Sequence, residues 1–217
     1  MNNVHLYLLN EIDMGTAERK AREKKELKDL ILAAAKKLFI AKGIEQTKIR
    51  NIADEINYSV GTVYVYFKDK NAILHDLHSL GFKQLGSEMR VLFAVEDPME
   101  RLKALGRVYI NFALNNPDMY DLMFTLKAPL QFLDEVKNDQ WNEGKATFGV
   151  LVQTVEDCIG RGHFKDHKLE PLSYAIWSTV HGLVSLQISE RTKGACIMQP
   201  ETIVTEAYEE FVKILMR

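Results

Sequence analysis

The residues best suited to chemistry stand between positions 47 and 70. Ser59-Val60-Gly61-Thr62-Val63-Tyr64-Val65-Tyr66 runs small, hydroxyl-bearing and aromatic side chains together, and Lys48, Lys68 and Lys70 flank it. Lysines suit phosphate oxygens, while hydroxyls and exposed methyls suit the edges of bases. A second set is aromatic and sulfur-bearing: Tyr120, Met123, Phe124, Phe132, Trp141, Phe148, Tyr174 and Trp177. Such side chains suit apolar ligands of varied shape, and each is also at home in an ordinary core. His163, Asp166 and His167 have a His-x3-His spacing, but Gly160 and Gly162 mark a loop there, so neither a metal nor a cofactor is expected. His181 reads either as a ligand contact or as a hydrogen-bonded core residue. No Ser–His–Asp or Cys–His arrangement has an identifiable context, and there is no glycine-rich phosphate loop or His-Glu-x-x-His pair. Catalysis is therefore not expected.

The elements that must position these residues are helices. Leu27, Leu30, Ile31, Ala34, Leu38 and Phe39 share one helix face, and Lys42-Gly43 supplies a cationic last turn and a left-handed cap. That helix can reach back to Thr16. Thr47 marks the next start, with Ile49, Ile52, Ala53 and Ile56 at helical spacing. Asn57 suits a tight left-handed turn. Ser59 then caps a short helix to about Tyr66, and Asp69 caps a long one with Ile73, Leu74, Leu77, Leu80, Leu85, Met89 and Leu92 inward. Pro98, Pro117, Pro171 and Pro200 each sit in the first turn of a later helix. Another spans Gln140 to Arg161, ending at Gly162. The fold class is all-α, with about nine helices.

Two short helices across Ile56-Asn57-Tyr58 make a helix-turn-helix at 48–67. Its inner side is Ile49, Ile52, Ala53, Ile56, Val63 and Phe67. Its outer side, with Val60, Gly61, Thr62, Tyr64, Val65 and Tyr66, needs a cover, and the major groove of DNA admits such a helix.

Charge supports two jobs in one chain. Over 217 residues the net charge is −2, yet residues 16–75 carry 13 Lys+Arg against 8 Asp+Glu, and residues 76–217 carry 15 against 20. Apolar residues at 47% and charged ones at 27% exclude a disordered chain. Cys158 and Cys196 are too few for a disulfide framework, so a cytoplasmic location is expected. Met1 to Asn10 lacks a basic n-region, so no secretory signal is expected. Pro171 to Ser189 is free of charge, but its hydroxyls, His181 and Gln187 favour a mostly buried helix over a membrane span.

The residues Ile31 to Phe39, then Ala41 to Thr47, resemble the first helix and loop of the TetR family of repressors. Ile49 to Ala53 resembles its second helix, and Ser59 to Lys70 its recognition helix and the start of helix four. The match covers roughly residues 25–85. The resemblance implies phosphate roles for Thr47, Lys48, Lys68 and Lys70, and groove positions for Ser59, Val60, Gly61, Thr62, Tyr64, Val65 and Tyr66. Asn57 stands where the family often has Gly, and two valines stand where it often has basic or polar residues.

Farther on, Trp177-Ser178-Thr179-Val180-His181-Gly182-Leu183-Val184 resembles a Trp–His–Gly pattern of one group of the family's regulatory domains. The resemblance implies a homodimer joined through the last two helices, about 170–190 and 200–216. It also implies a pocket for a small, mainly apolar effector among Tyr120, Met123, Phe124, Trp141, Phe148, Tyr174, Trp177 and His181. The expected domains are an arm and helix start at 1–24, a DNA-binding domain at 25–85, and a regulatory, dimerising domain at 86–217. Residues 1–13 read as a flexible arm or as a start placed upstream of the true one, so a chain from Met14 is expected to fold and bind equally well. The function expected is a homodimeric transcriptional repressor, released from a palindromic double-stranded operator by its effector. The alternatives are an architectural or division-linked DNA-binding protein without a ligand and, more remotely, an all-helical enzyme.

Overall fold

A computed structural model describes residues 15–124, 142–195 and 197–216. Among them are nine α-helices and no strand. They are α1 (Thr16–Lys42), α2 (Ile49–Glu55), α3 (Val60–Tyr66), α4 (Lys70–Arg90), α5 (Pro98–Asn115), α6 (Pro117–Phe124), α7 (Asn142–Gly160), α8 (Leu169–Ile188) and α9 (Ile203–Leu215). The chain forms two compact units, residues 1–77 and 78–217, and the division falls inside α4.

In the first unit, α1 begins at Thr16, but its core starts only at Ile31. Ile31, Leu32, Ala34, Ala35, Leu38 and Phe39 are buried, whereas most of the preceding charged run is exposed. Gly43 ends the helix at φ +79°, with its N–H on the Phe39 carbonyl at 2.9 Å. The α2–α3 turn closes as a Schellman motif. Asn57 sits at φ 58°, Tyr58 N–H donates to Ala53 O at 3.0 Å, and Asn57 N–H donates to Asp54 O at 3.2 Å. Ser59 Oγ accepts from Thr62 N–H at 3.0 Å and starts α3. Asp69 Oδ1 accepts from Ala72 N–H at 2.8 Å and starts α4. Ile52, Ala53, Ile56, Val63, Phe67, Ile73 and Leu74 fill the space between these helices and α1.

Two inward assignments fail. Leu30 is 45% exposed and Leu80 44% exposed. Each lies at the edge of its apolar stripe, and on α4 the inward places are taken by His78 and Phe82.

In the second unit α5 is central, packing on α7, α8 and α9. Asp97 caps it, accepting from Met99 N–H at 2.8 Å and Glu100 N–H at 3.0 Å, and those bonds hold its carboxyl below the usual range. Met99, Leu102, Val155, Cys158 and Ile176 form the innermost cluster. Arg101, 7% exposed, is kept buried by the Val95 carbonyl at 2.9 and 3.1 Å and by Asp157 at 2.6 Å. At Gly106 a Cβ would overlap the Tyr208 ring, so only glycine lets α9 approach α5 this closely. α9 starts three residues after Pro200, which lies in a turn rather than in its first helical turn. His163 and His167 fall in an irregular segment with Phe164 and Asp166 at positive φ. No described helix is long and apolar enough to cross a membrane.

Candidate nucleic-acid interface and effector cavity

The short helix α3 is fixed from one side only. Val63 is fully buried and Phe67, just past its end, is 3% exposed. The opposite side carries Tyr64 at 53% and Val65 at 75% exposure, with Gly61 exposed and Val60, Thr62 and Tyr66 half-buried. Thr62 and Ser59 share a hydroxyl–hydroxyl bond of 2.8 Å, so these two groups are oriented before any contact is made. An aromatic and a valine held outward by a two-residue anchor form a surface with shape and little charge of its own.

The flanking groups divide. Lys48 and Lys68 are exposed. Lys70 is half-buried, and its Nζ donates to the Ile44 carbonyl at 2.7 Å. An ammonium has three donors, so this bond holds the stem and leaves the head able to meet an anion. Thr47 departs from the phosphate role expected of it. It is fully buried, and its hydroxyl lies 2.8 Å from Gly43 O and 3.2 Å from Leu38 O. It ties the end of α1 to the start of α2 and does not present its side chain to a phosphate. The geometry of the α1–α2 loop that causes this carries no local sequence signal.

A second feature lies wholly within residues 78–217. A cavity of about 250 Å³ is walled almost entirely by apolar side chains from α4, α5, α6, α7, α8 and α9. Of the residues singled out from the sequence, Phe124, Phe148, Tyr174 and Trp177 line it. Tyr120, Met123 and His181 do not; they stand behind the wall, and Trp141 lies outside the described residues, as does Phe132. Met123 is buried against Gly81, where a Cβ would strike its sulfur. Sequence reading missed Phe82, Leu85 and Met89 of α4, Leu102 and Tyr109 of α5, and Tyr208 and Phe211 of α9. Their spacing signals a buried face, which looks the same whether that face meets a neighbour or a void.

Behind the wall, His181 is the hub of a polar cluster that includes the lining residue Tyr109. Its Nδ1 lies 2.8 Å from Tyr109 Oη and 3.0 Å from Tyr120 Oη. Trp177 and Phe124 pack on its ring, with centroids 5.4 and 5.0 Å away. Burial lowers its pKa and keeps the ring neutral; burial likewise pushes Tyr120 up to about 12 and Tyr109 higher still. The cluster is thus uncharged and closely hydrogen-bonded.

A helix-turn-helix with an outward recognition helix and a helical unit with an apolar cavity define a class of DNA-binding regulator. Two family models agree. Residues 31–77 match bacterial regulatory proteins of the tetR family, and residues 102–211 match the tetracyclin repressor-like C-terminal domain. The chain belongs to the TetR family and is a DNA-binding transcriptional regulator. The regulator AcrR of Shigella flexneri is 24% identical over 149 residues, 66% of this chain and 69% of that protein. Among solved structures, the fatty acid degradation regulator FadR of Bacillus halodurans superposes with a TM-score of 0.65 at 18% identity, covering 84% of this chain and 92% of its own. The TetR-family regulator PfmR of Thermus thermophilus gives 0.61 at 19% identity, over 85% and 96%. At these identities the structural likeness shows the fold.

Proposed function

We propose that this regulator is a cytoplasmic homodimeric repressor, released from a palindromic operator by a small, mainly apolar effector held in the cavity. The cavity carries the reading. A void of about 250 Å³ with an apolar wall forfeits packing that a core normally keeps, and a ligand restores it. A fatty acid degradation regulator among the structural neighbours supports an effector of this kind. α3 enters the major groove with Tyr64 and Val65 foremost and Ser59, Val60, Gly61, Thr62 and Tyr66 around them, while Lys48, Lys68 and Lys70 meet phosphates. Two copies pair through α8 and α9, where exposed Leu186 and Ile214, with Met216 just past the end of α9, need a cover. Recognition helices about 34–36 Å apart then read two half-sites.

The coupling runs along α4, which carries Lys70 at one end and the cavity-lining Phe82, Leu85 and Met89 toward the other. Selection of bound duplexes from a random library tests the operator; enrichment of a symmetric motif is expected, and its absence defeats the reading. Titration of apolar compounds, followed by Trp177 emission and by operator release, tests the sensor. Linkage requires operator to weaken effector binding by the factor by which effector weakens operator binding. An effector with equal affinity for free and operator-bound protein sinks the mechanism.

A further inference from the structure

Among the described residues, the cavity wall contains no Asp and no Glu, yet it contains two lysines, Lys103 and Lys145. That is unusual company in residues 76–217, where 20 acidic residues outnumber 15 basic ones. The two lysines are not equivalent. Lys103 is paired with Glu100 and its side chain is largely covered. Lys145, on α7, is exposed and has no hydrogen bond or ion pair among the described residues. Lys145 and Tyr174 both line the cavity and both face solvent, so among the described residues they are places where its wall reaches the surface.

Apart from Lys103, whose charge Glu100 already matches, the other polar groups of the wall are neutral and engaged. Tyr109 is bonded to His181, Tyr208 donates to Lys103 O at 2.9 Å, and Thr147 Oγ1 lies 3.1 Å from Phe82 O and 2.8 Å from Glu143 O. An anion driven among them would lose its water and gain no counter-charge. A neutral apolar group loses nothing there. The geometry points to an anionic amphipath as the effector: an apolar body inside, and a carboxylate or phosphate-ester head at Lys145. This rests on the proposal that the cavity holds the effector. A short alkyl chain is a suitable probe for a cavity of about 250 Å³.

Calorimetric titration of the full chain with octanoate, octyl phosphate and octanol tests this, alongside Lys145→Gln. Either anion is expected to bind about fivefold tighter than octanol at low salt, the scale of one exposed ion pair. Salt should erode that preference, and Lys145→Gln should abolish it. The stronger of the two anions identifies the head. Octanol binding as tightly as both anions overturns the anionic head and leaves the cavity reading intact. A preference that survives in Lys145→Gln overturns the assignment to that lysine. Binding by none of the three overturns both readings.

Discussion

Lys70 donates from its ammonium to the carbonyl of Ile44 at 2.7 Å, joining the first turn of α4 to the loop before α2. A residue expected to act on DNA alone therefore also holds the fold. Lys68, two residues earlier and exposed, has no such bond among the described residues. The two should separate in experiment. Lys68→Ala should leave the melting temperature in place and reduce the salt slope of DNA binding by about 1. Lys70→Ala should reduce the slope similarly and also cost about 1–2 kcal/mol of stability, because a charge-assisted bond is lost. Equal melting temperatures for both variants would refute the double role.

Tyr64 is more than half exposed and contributes nothing visible to the core. Tyr64→Ala should leave stability within about 0.5 kcal/mol, as for ordinary surface substitutions. Specific binding should fall strongly while non-specific binding persists, because phosphate contacts are untouched. Competition between operator and random duplex measures this. A parallel loss on both would show that Tyr64 acts on the backbone and not on bases.

Thr47 makes the opposite case. Its buried hydroxyl serves two carbonyls, so Thr47→Val should destabilise by about 1–3 kcal/mol. Binding well below the melting temperature should be unaffected. Urea unfolding and a binding isotherm on the same preparation decide it; a stable variant with weak binding would restore the phosphate role.

The helix-turn-helix was legible because its signals are local. Ser59, Asp69 and Gly43 act on backbone groups within four residues, and Asn57 needs only its own φ. The outward face of α3 followed, since Val63 and Phe67 leave no other side to bury. The cavity was not legible in the same way. Phe148 and Trp177 drew notice as aromatics, but Leu85 and Phe211 line the same wall with nothing to mark them. Whether an apolar stripe meets a partner or a void depends on five other helices. The burial of Thr47 and the structural role of Lys70 were not legible either, since each depends on how the α1–α2 loop folds: Thr47 reaches Gly43 and Leu38, and Lys70 reaches Ile44, 26 residues away.

His181 makes stability depend on pH with a definite sign. Burial lowers its pKa in the folded state, and the unfolded chain titrates near the ordinary value of about 6.5. Below that value the unfolded chain takes up a proton that the folded chain resists. Unfolding is therefore favoured as pH falls through about 6.5, and the stability is fully present above it. Tyr109 and Tyr120, whose oxygens face the ring, stay protonated throughout because burial raises both. The bonds of the cluster differ in their response. A neutral Nδ1 can accept from a phenol, whereas a protonated one must donate, so acid forces Tyr109 or Tyr120 to turn its hydroxyl away. His181→Gln keeps polar atoms near both phenols and removes the titration. Urea midpoints measured from pH 5.5 to 7.5 should rise more steeply in the parent than in His181→Gln. Parallel curves would mean that His181 is protonated as readily in the fold as in the unfolded chain.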